Sequence, residues 1–115
     1  MFNDTTLVGR LTRDAQLGQL PNTQQTARLR FTLAVDRDYR VDGQTPTDFW
    51  PVELVGDYGA RLAPHLTKGR LVLVSGSVHI DERREANAPQ RLFPYVSCRQ
   101  LRFLDRRTEE SPGDS

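Results

Sequence analysis

The groups best able to do chemistry in this chain are its arginines. Fifteen of the sixteen basic residues are Arg, and Lys68 is the single Lys. A guanidinium is planar and weakly hydrated, and it can stack on a ring while bonding a phosphate. A phosphate-rich partner would account for the skew, and so would codon bias from a GC-rich genome. Net charge is only +1, which by itself argues weakly against a polyanionic partner. Position says more than the total. Arg28 and Arg30 alternate with Leu29 and Phe31, so both fall on one side of an extended strand. Arg83 and Arg84 sit together in a polar stretch between two strand-like runs. Arg10, Arg40, Lys68 and Arg91 complete the cations placed for phosphate contact. A single Arg is more often a solvated surface residue, so the two clusters carry most of this reading.

Other chemistries find little support. Cys98 is the only cysteine, which excludes an intrachain disulfide. With His65 and His79 it offers three metal ligands at most, at a spacing that fits no zinc pattern. Its neighbours read as a strand, so a buried, small apolar side chain is expected there. Asp36, Asp38 and Asp42 suggest a two-metal site at first sight. The adjacent Arg37 and Arg40 and the turn at Gly43 make a solvated hairpin end the better reading. No nucleophile elbow, phosphate loop or paired-carboxylate spacing is present, so neither an enzyme nor a cofactor is expected. No run approaches the roughly 18 apolar residues of a membrane span. The opening Met1-Phe2-Asn3-Asp4 lacks the basic and apolar stretches of a signal peptide, and a cytoplasmic location is expected.

The elements that must position these groups can be read from the hydrophobic pattern. At 115 residues, 37% hydrophobic and 27% charged, the chain suits one globular domain. Residues 5–12 alternate as a first strand. Residues 14–25, rich in Gln and Asn with Pro21-Asn22, read as a loop or a bulged hairpin. Residues 27–38 form a second strand with Leu29, Phe31, Leu33 and Val35 on one side. A hairpin loop over 39–46 leads to a third strand, 47–55, in which Pro51 must lie at an edge or a bulge. Tyr58, Leu62 and Leu66 recur every four residues and predict a helix over 56–68, stopped by Gly69. A fourth strand spans 70–81, with Gly76 marking a bend or bulge. A polar loop over 82–90 precedes a fifth strand, 92–104. From 105 to 115 the chain is charged and too polar to fold, and a disordered tail is expected. The order of three strands, a helix and two strands predicts an all-β fold with one helix. It is the five-stranded OB-fold barrel, with the helix between strands three and four.

Several segments then resemble the bacterial single-stranded DNA-binding proteins. They are Asn3, Leu7-Val8-Gly9-Arg10-Leu11-Thr12-Arg13-Asp14, Pro21-Asn22, Phe31-Thr32-Leu33-Ala34-Val35 and Thr47-Asp48-Phe49. Leu66-Thr67-Lys68-Gly69, Val74-Ser75-Gly76-Ser77-Val78 and Leu101-Arg102-Phe103-Leu104 complete the set. Together they cover nearly all of residues 1–104, and their order is more specific than any one of them. The resemblance implies sequence-independent coating of single-stranded DNA in replication, recombination or repair, by base stacking on aromatics and Arg–phosphate contacts. By position it places Tyr39, Phe49 and Phe93 against bases and Trp50 at a subunit contact.

There are departures from the family pattern. Val55 and Arg83 stand where relatives carry aromatics, and Asp57 and Asp81 replace positions that are often basic. Weaker and more salt-sensitive binding is therefore expected. The resemblance further implies a homotetramer, with a dimer left open because Trp50 and Pro51 are unusual at that contact. The segment 105–115 ends in Asp114-Ser115 without the family's Pro-Phe tip, so recruitment of replication proteins through a tip is not carried over. A primosome-type OB-fold adaptor with weak DNA binding is the alternative reading.

Overall fold

The structure is a computed structural model and describes residues 1–21, 25–83 and 86–105. Its six strands, among the described residues, are β1 (Thr5–Leu11), β2 (Gln16–Gln19), β3 (Ala27–Asp36), β4 (Thr47–Val55), β5 (Leu71–Arg83) and β6 (Arg91–Phe103). A short helix α1 (Asp57–Leu62) runs into a 3-10 turn, Ala63–His65. The sheet order β1-β5-β6-β4-β3-β2, with β1 also pairing β3, closes five strands into a ring. The β4–β6 pair is parallel and the others antiparallel. This ring with a helix between its third and fourth strands is the OB fold expected from the sequence.

Period-two patterning produces the ring. In β3, Leu29, Phe31 and Leu33 point inward, where they meet Val52 and Leu54 of β4. Val72 and Val74 of β5 and Val96 and Cys98 of β6 fill the rest of the interior. Closure requires β1 to reach β3, and the two pair only at Arg10↔Ala34 and Leu11↔Leu33. The approach is so close that a Cβ on Gly9 would lie 2.2 Å from the Ala34 carbonyl oxygen. Gly76 meets the same restriction, its hypothetical Cβ lying 2.0 Å from the Ser97 carbonyl, where the β5–β6 register shifts. The bulge expected at Gly76 is therefore present.

Of the loop and the bulged hairpin left open for residues 14–25, the pairing fits the hairpin: residues 16–19 form the short strand β2, antiparallel to Ala27–Arg30 along the edge of β3. Three expectations need correction. The helix does not run from 56 to 68. It stops at Leu62 because Pro64 lacks the N–H that would continue the helical ladder, although Ala63 before it keeps helical backbone angles, and a single 3-10 turn follows. The stripe survives this break: Leu66 is fully buried, and Tyr58 and Leu62 pack on the core. The polar loop expected over 82–90 is shorter, since β5 runs to Arg83 and β6 begins at Arg91.

The third correction is at Asp105, which belongs to the barrel and not to the tail. Its carboxylate accepts from Arg70 Nε at 2.9 Å and from the Leu71 backbone N–H at 3.1 Å. Arg70 also donates to the His65 carbonyl and lies 4.3 Å from the Phe103 ring centre. The rest of the expected tail, 106–115, and the Asn22-Thr23 turn lie outside the described residues.

Candidate nucleic-acid interface

Because Leu29, Phe31 and Leu33 point inward, the residues between them must point out. Register then assembles an outer face row by row: Arg28 beside Val55, Arg30 beside Glu53, Thr32 beside Pro51 and Ala34 beside Phe49. The parallel pairing of β4 with β6 begins only at Val52, so the missing N–H of Pro51 costs no bond there. Phe49 is 64% exposed, with a small Ala34 as its β3 partner. Trp50, one residue on, takes the opposite side and packs half-buried against the core next to Leu33. The opposed directions of Phe49 and Trp50 follow from strand geometry alone.

Beyond the ring, β5 and β6 continue as a long two-stranded arm, pairing as far as Arg83↔Arg91. Alternation puts Arg91, Phe93 and Tyr95 on one face of β6, with Asp81 opposite Phe93 and His79 opposite Tyr95 on β5. The His79 and Tyr95 rings stand 5.6 Å apart. Burial, then the nearby Asp81 and Glu53 charges, raise the Tyr95 phenol above its ordinary pKa, against a smaller opposing effect of Arg28. The arm and the β3–β4 face enclose an open groove of about 470 Å³, with Arg28, Arg30, Glu53, Phe93 and Tyr95 among its lining.

The predicted cations do not all meet. Arg30 is exposed, makes no ion pair among the described residues and lines the groove. Arg28 lines it too, but its Nε is bonded to Glu53 Oε1, which offsets its charge. Arg10 shares the outer row with Ala34 and Phe49, and its Nη1 donates to the Gly69 carbonyl at 3.0 Å, which brings it near the exposed Lys68. Arg40 is exposed on the loop of residues 37–46. Arg83 ends β5, and Arg84 lies outside the described residues.

Tyr39 stands on the same loop, 48% exposed. Its hydroxyl accepts from Arg37 Nη1, and Arg37 also grips Asp48 through two 2.9 Å bonds. Those bonds hold the Asp48 carboxyl below its ordinary pKa and the Arg37 guanidinium above its own. Arg37 and Asp48 thus tie a loop aromatic to the start of β4. Sequence reasoning did not single out this clamp, nor Tyr95 and Glu53. Two of these were open to the alternation rule. Tyr95 falls two residues after Phe93, and Glu53 lies between the inward Val52 and Leu54.

Fold and face together define a class: a closed OB barrel with exposed rings and guanidinium groups along one outer surface. Comparison with known proteins narrows it. Residues 2–104 match the Single-strand binding protein family, and the chain belongs to that family. Among curated relatives, "Single-stranded DNA-binding protein 2" of Clostridium acetobutylicum is 37% identical over 104 residues, 90% of this chain and 77% of that one. The Thermotoga maritima "Single-stranded DNA-binding protein" is 35% identical over 118 residues, 99% of this chain and 82% of that one. Of solved structures, a chain of the "Plasmodium falciparum SSB complex with ssDNA" superposes with a TM-score of 0.76. It covers 91% of this chain and 96% of that one at 23% identity, a likeness of fold.

Proposed function

We propose that this protein binds and protects single-stranded DNA during replication, recombination or repair, with little regard to sequence. The observation that carries the reading is the pair of large rings held outside the barrel, Phe49 on β4 and Tyr39 on its clamped loop. Unpaired bases stack on such rings whatever their identity, at about 1–3 kcal/mol per base. Phosphates are taken by guanidinium groups flanking the rings. Arg30, Arg91, Arg10 and Lys68 are exposed for this, and Arg40 beside Tyr39 adds a fifth. The path runs from the loop of Tyr39 past Phe49 and across the groove to Phe93. No bond is made or broken.

Assembly follows from an open edge. β1 pairs with β5 along Thr5–Arg10 but meets β3 only at its last two residues, leaving the other backbone edge of Thr5–Val8 without a strand partner among the described residues. Self-association as a homotetramer or homodimer would cover that edge. Trp50, intermediate in exposure, stays the candidate contact residue. A bacterial cytoplasm, at the nucleoid, suits this reading.

Val55 and the expected Arg83 leave two ring positions unfilled, which weakens stacking and favours, as a second reading, an OB-fold adaptor with weak DNA affinity. Titration with oligo-dT of increasing length at several salt concentrations separates the two. Coating predicts submicromolar, length-dependent binding. It also predicts a slope of log affinity against log salt of about −3.5 for the five phosphate contacts. Weak binding without length dependence would refute coating. Light scattering with and without oligo-dT reports the assembly.

A further inference from the structure

We infer that the Arg28–Glu53 pair on the floor of the groove reads the Watson–Crick edge of one base, favouring guanine within otherwise sequence-tolerant binding. The inference rests on the single-stranded DNA reading and goes beyond it. Its starting point is a mismatch of charge. A groove built only to follow phosphates has no use for carboxylates, yet Asp14, Glu53 and Asp81 all line this one. Arg13, Arg28 and Arg30 line it as well, so the floor carries as many positive as negative side chains, and phosphates are repelled only near the carboxylates. A base, being neutral and flat, is not repelled. It also finds Phe93 and Tyr95 lining the same groove, whose 470 Å³ lies within the range of small-ligand pockets, about 300–1,000 Å³.

Glu53 does not wave in solvent. Its side chain is 17% exposed, that of Arg28 is 28% exposed, and the two are joined through Nε and Oε1. That bond fixes an acceptor beside a donor. Glu53 Oε2 and the Arg28 Nη groups carry no further hydrogen bond among the described residues, so both partners keep capacity for a ligand. Asp81 and Tyr95, across the groove, face the same space.

The four bases meet this donor–acceptor pair differently. Guanine presents the O6 acceptor next to two adjacent donors, N1–H and N2–H. O6 can accept from Arg28 while both donors reach the Glu53 carboxylate. Thymine has one donor between two carbonyls, so a carbonyl oxygen would face the carboxylate. Cytosine and adenine each present one amino group beside a ring acceptor, giving Glu53 a single bond. Only guanine supplies the carboxylate with two donors. A well-placed two-bond base contact discriminates by about 1–3 kcal/mol, or 5- to 150-fold.

The test is a competition assay on the whole protein with dT oligonucleotides of one length, in which two separated thymines are replaced by guanine, inosine, cytosine or adenine. The guanine oligonucleotide is expected to bind at least fivefold more tightly than all-dT. Inosine lacks only the N2 amino group and should lose most of that gain. Glu53→Gln removes the charged acceptor at the same shape, and should abolish the guanine preference, read as the ratio of dG to dT affinity within that variant. Equal affinity for the dG, dI and dT oligonucleotides in a protein that binds dT would overturn the inference and spare the coating function. So would a guanine gain that persists in folded Glu53→Gln. The inosine comparison needs no variant and stands if Glu53→Gln fails to fold. Failure to bind any oligonucleotide would sink both readings together.

Discussion

Replacing Phe49 by alanine isolates base stacking from everything else this barrel does. The ring is 64% exposed and faces Ala34 across the β3–β4 ladder, so its loss opens no interior cavity. Surface substitutions of this kind stay within about 0.5 kcal/mol of the parent stability. Trp50, on the core side of the same strand, is undisturbed, and its fluorescence reports that the fold is intact. The binding loss should equal one stacked base, about 1–3 kcal/mol, or 5- to 150-fold in Kd for oligo-dT. Phe49→Tyr keeps a flat ring and should recover most of it. No charge is removed, so the salt slope should not change. Arg30→Ala is the counterpart: it should flatten that slope by about 0.7. The assay is fluorescence anisotropy with a labelled oligo-dT at four or more salt concentrations. A Phe49→Ala protein that is folded and binds within twofold of the parent would refute the stacking argument. A changed salt slope in that variant would show that the ring acts through neighbouring charges instead.

Other variants probe the scaffold. Arg70→Ala removes a nearly buried guanidinium from Asp105, the His65 carbonyl and the Phe103 ring, and should cost about 2–4 kcal/mol. Its thermal melt should fall by roughly 8–16 °C, and a drop under 3 °C would show that the C-terminal lock is idle. Acid should weaken the same lock. Burial tends to raise the Asp105 carboxyl, but hydrogen bonds from Arg70 and the Leu71 N–H outweigh it and hold the pKa below the ordinary value. A depressed carboxyl stabilises the fold above its unfolded pKa and loses that effect as pH falls through the folded one. Melting temperature should therefore drop below about pH 4 in the parent, and less steeply in Asp105→Asn. Gly9→Ala places a methyl 2.2 Å from the Ala34 carbonyl and should cost at least about 1–3 kcal/mol, seen as a lower melting temperature, because the β1–β3 seam must part. Cys98 is buried, and its thiol pKa is pushed up to about 11 by that burial, so a thiol reagent should label it slowly until denaturant is added.

Much of the barrel was legible because alternation in a strand has only one meaning once a core exists. Leu29, Phe31 and Leu33 announced an inside, and the same count put Arg28 and Arg30 outside, while the side taken by Phe49 came from the family resemblance. The opposed directions of Phe49 and Trp50 followed without any tertiary information. The helix was misjudged in length because the four-residue stripe of Tyr58, Leu62 and Leu66 continues across Pro64. A stripe reports which residues are buried, not whether backbone hydrogen bonds carry the chain between them. At β2 the sequence left loop and hairpin open because all four of its residues are exposed, so no hydrophobic pattern marks it and only its pairing with β3 makes it a strand.

Local rules determined the secondary elements, the two faces of each strand and the residue types offered to a ligand. Those follow from backbone periodicity and side-chain chemistry, which act over a few residues. Register decided the rest. Arg28 could be counted as a free cation until β3 was laid against β4 and its guanidinium met Glu53. Asp105 looked like tail until the barrel brought Arg70 to it, 35 residues away in sequence. The groove itself exists only where the β5–β6 arm crosses the β3–β4 face. Charge pairing and concavity depend on distances between segments remote in sequence, and those distances are set by how the ring closes.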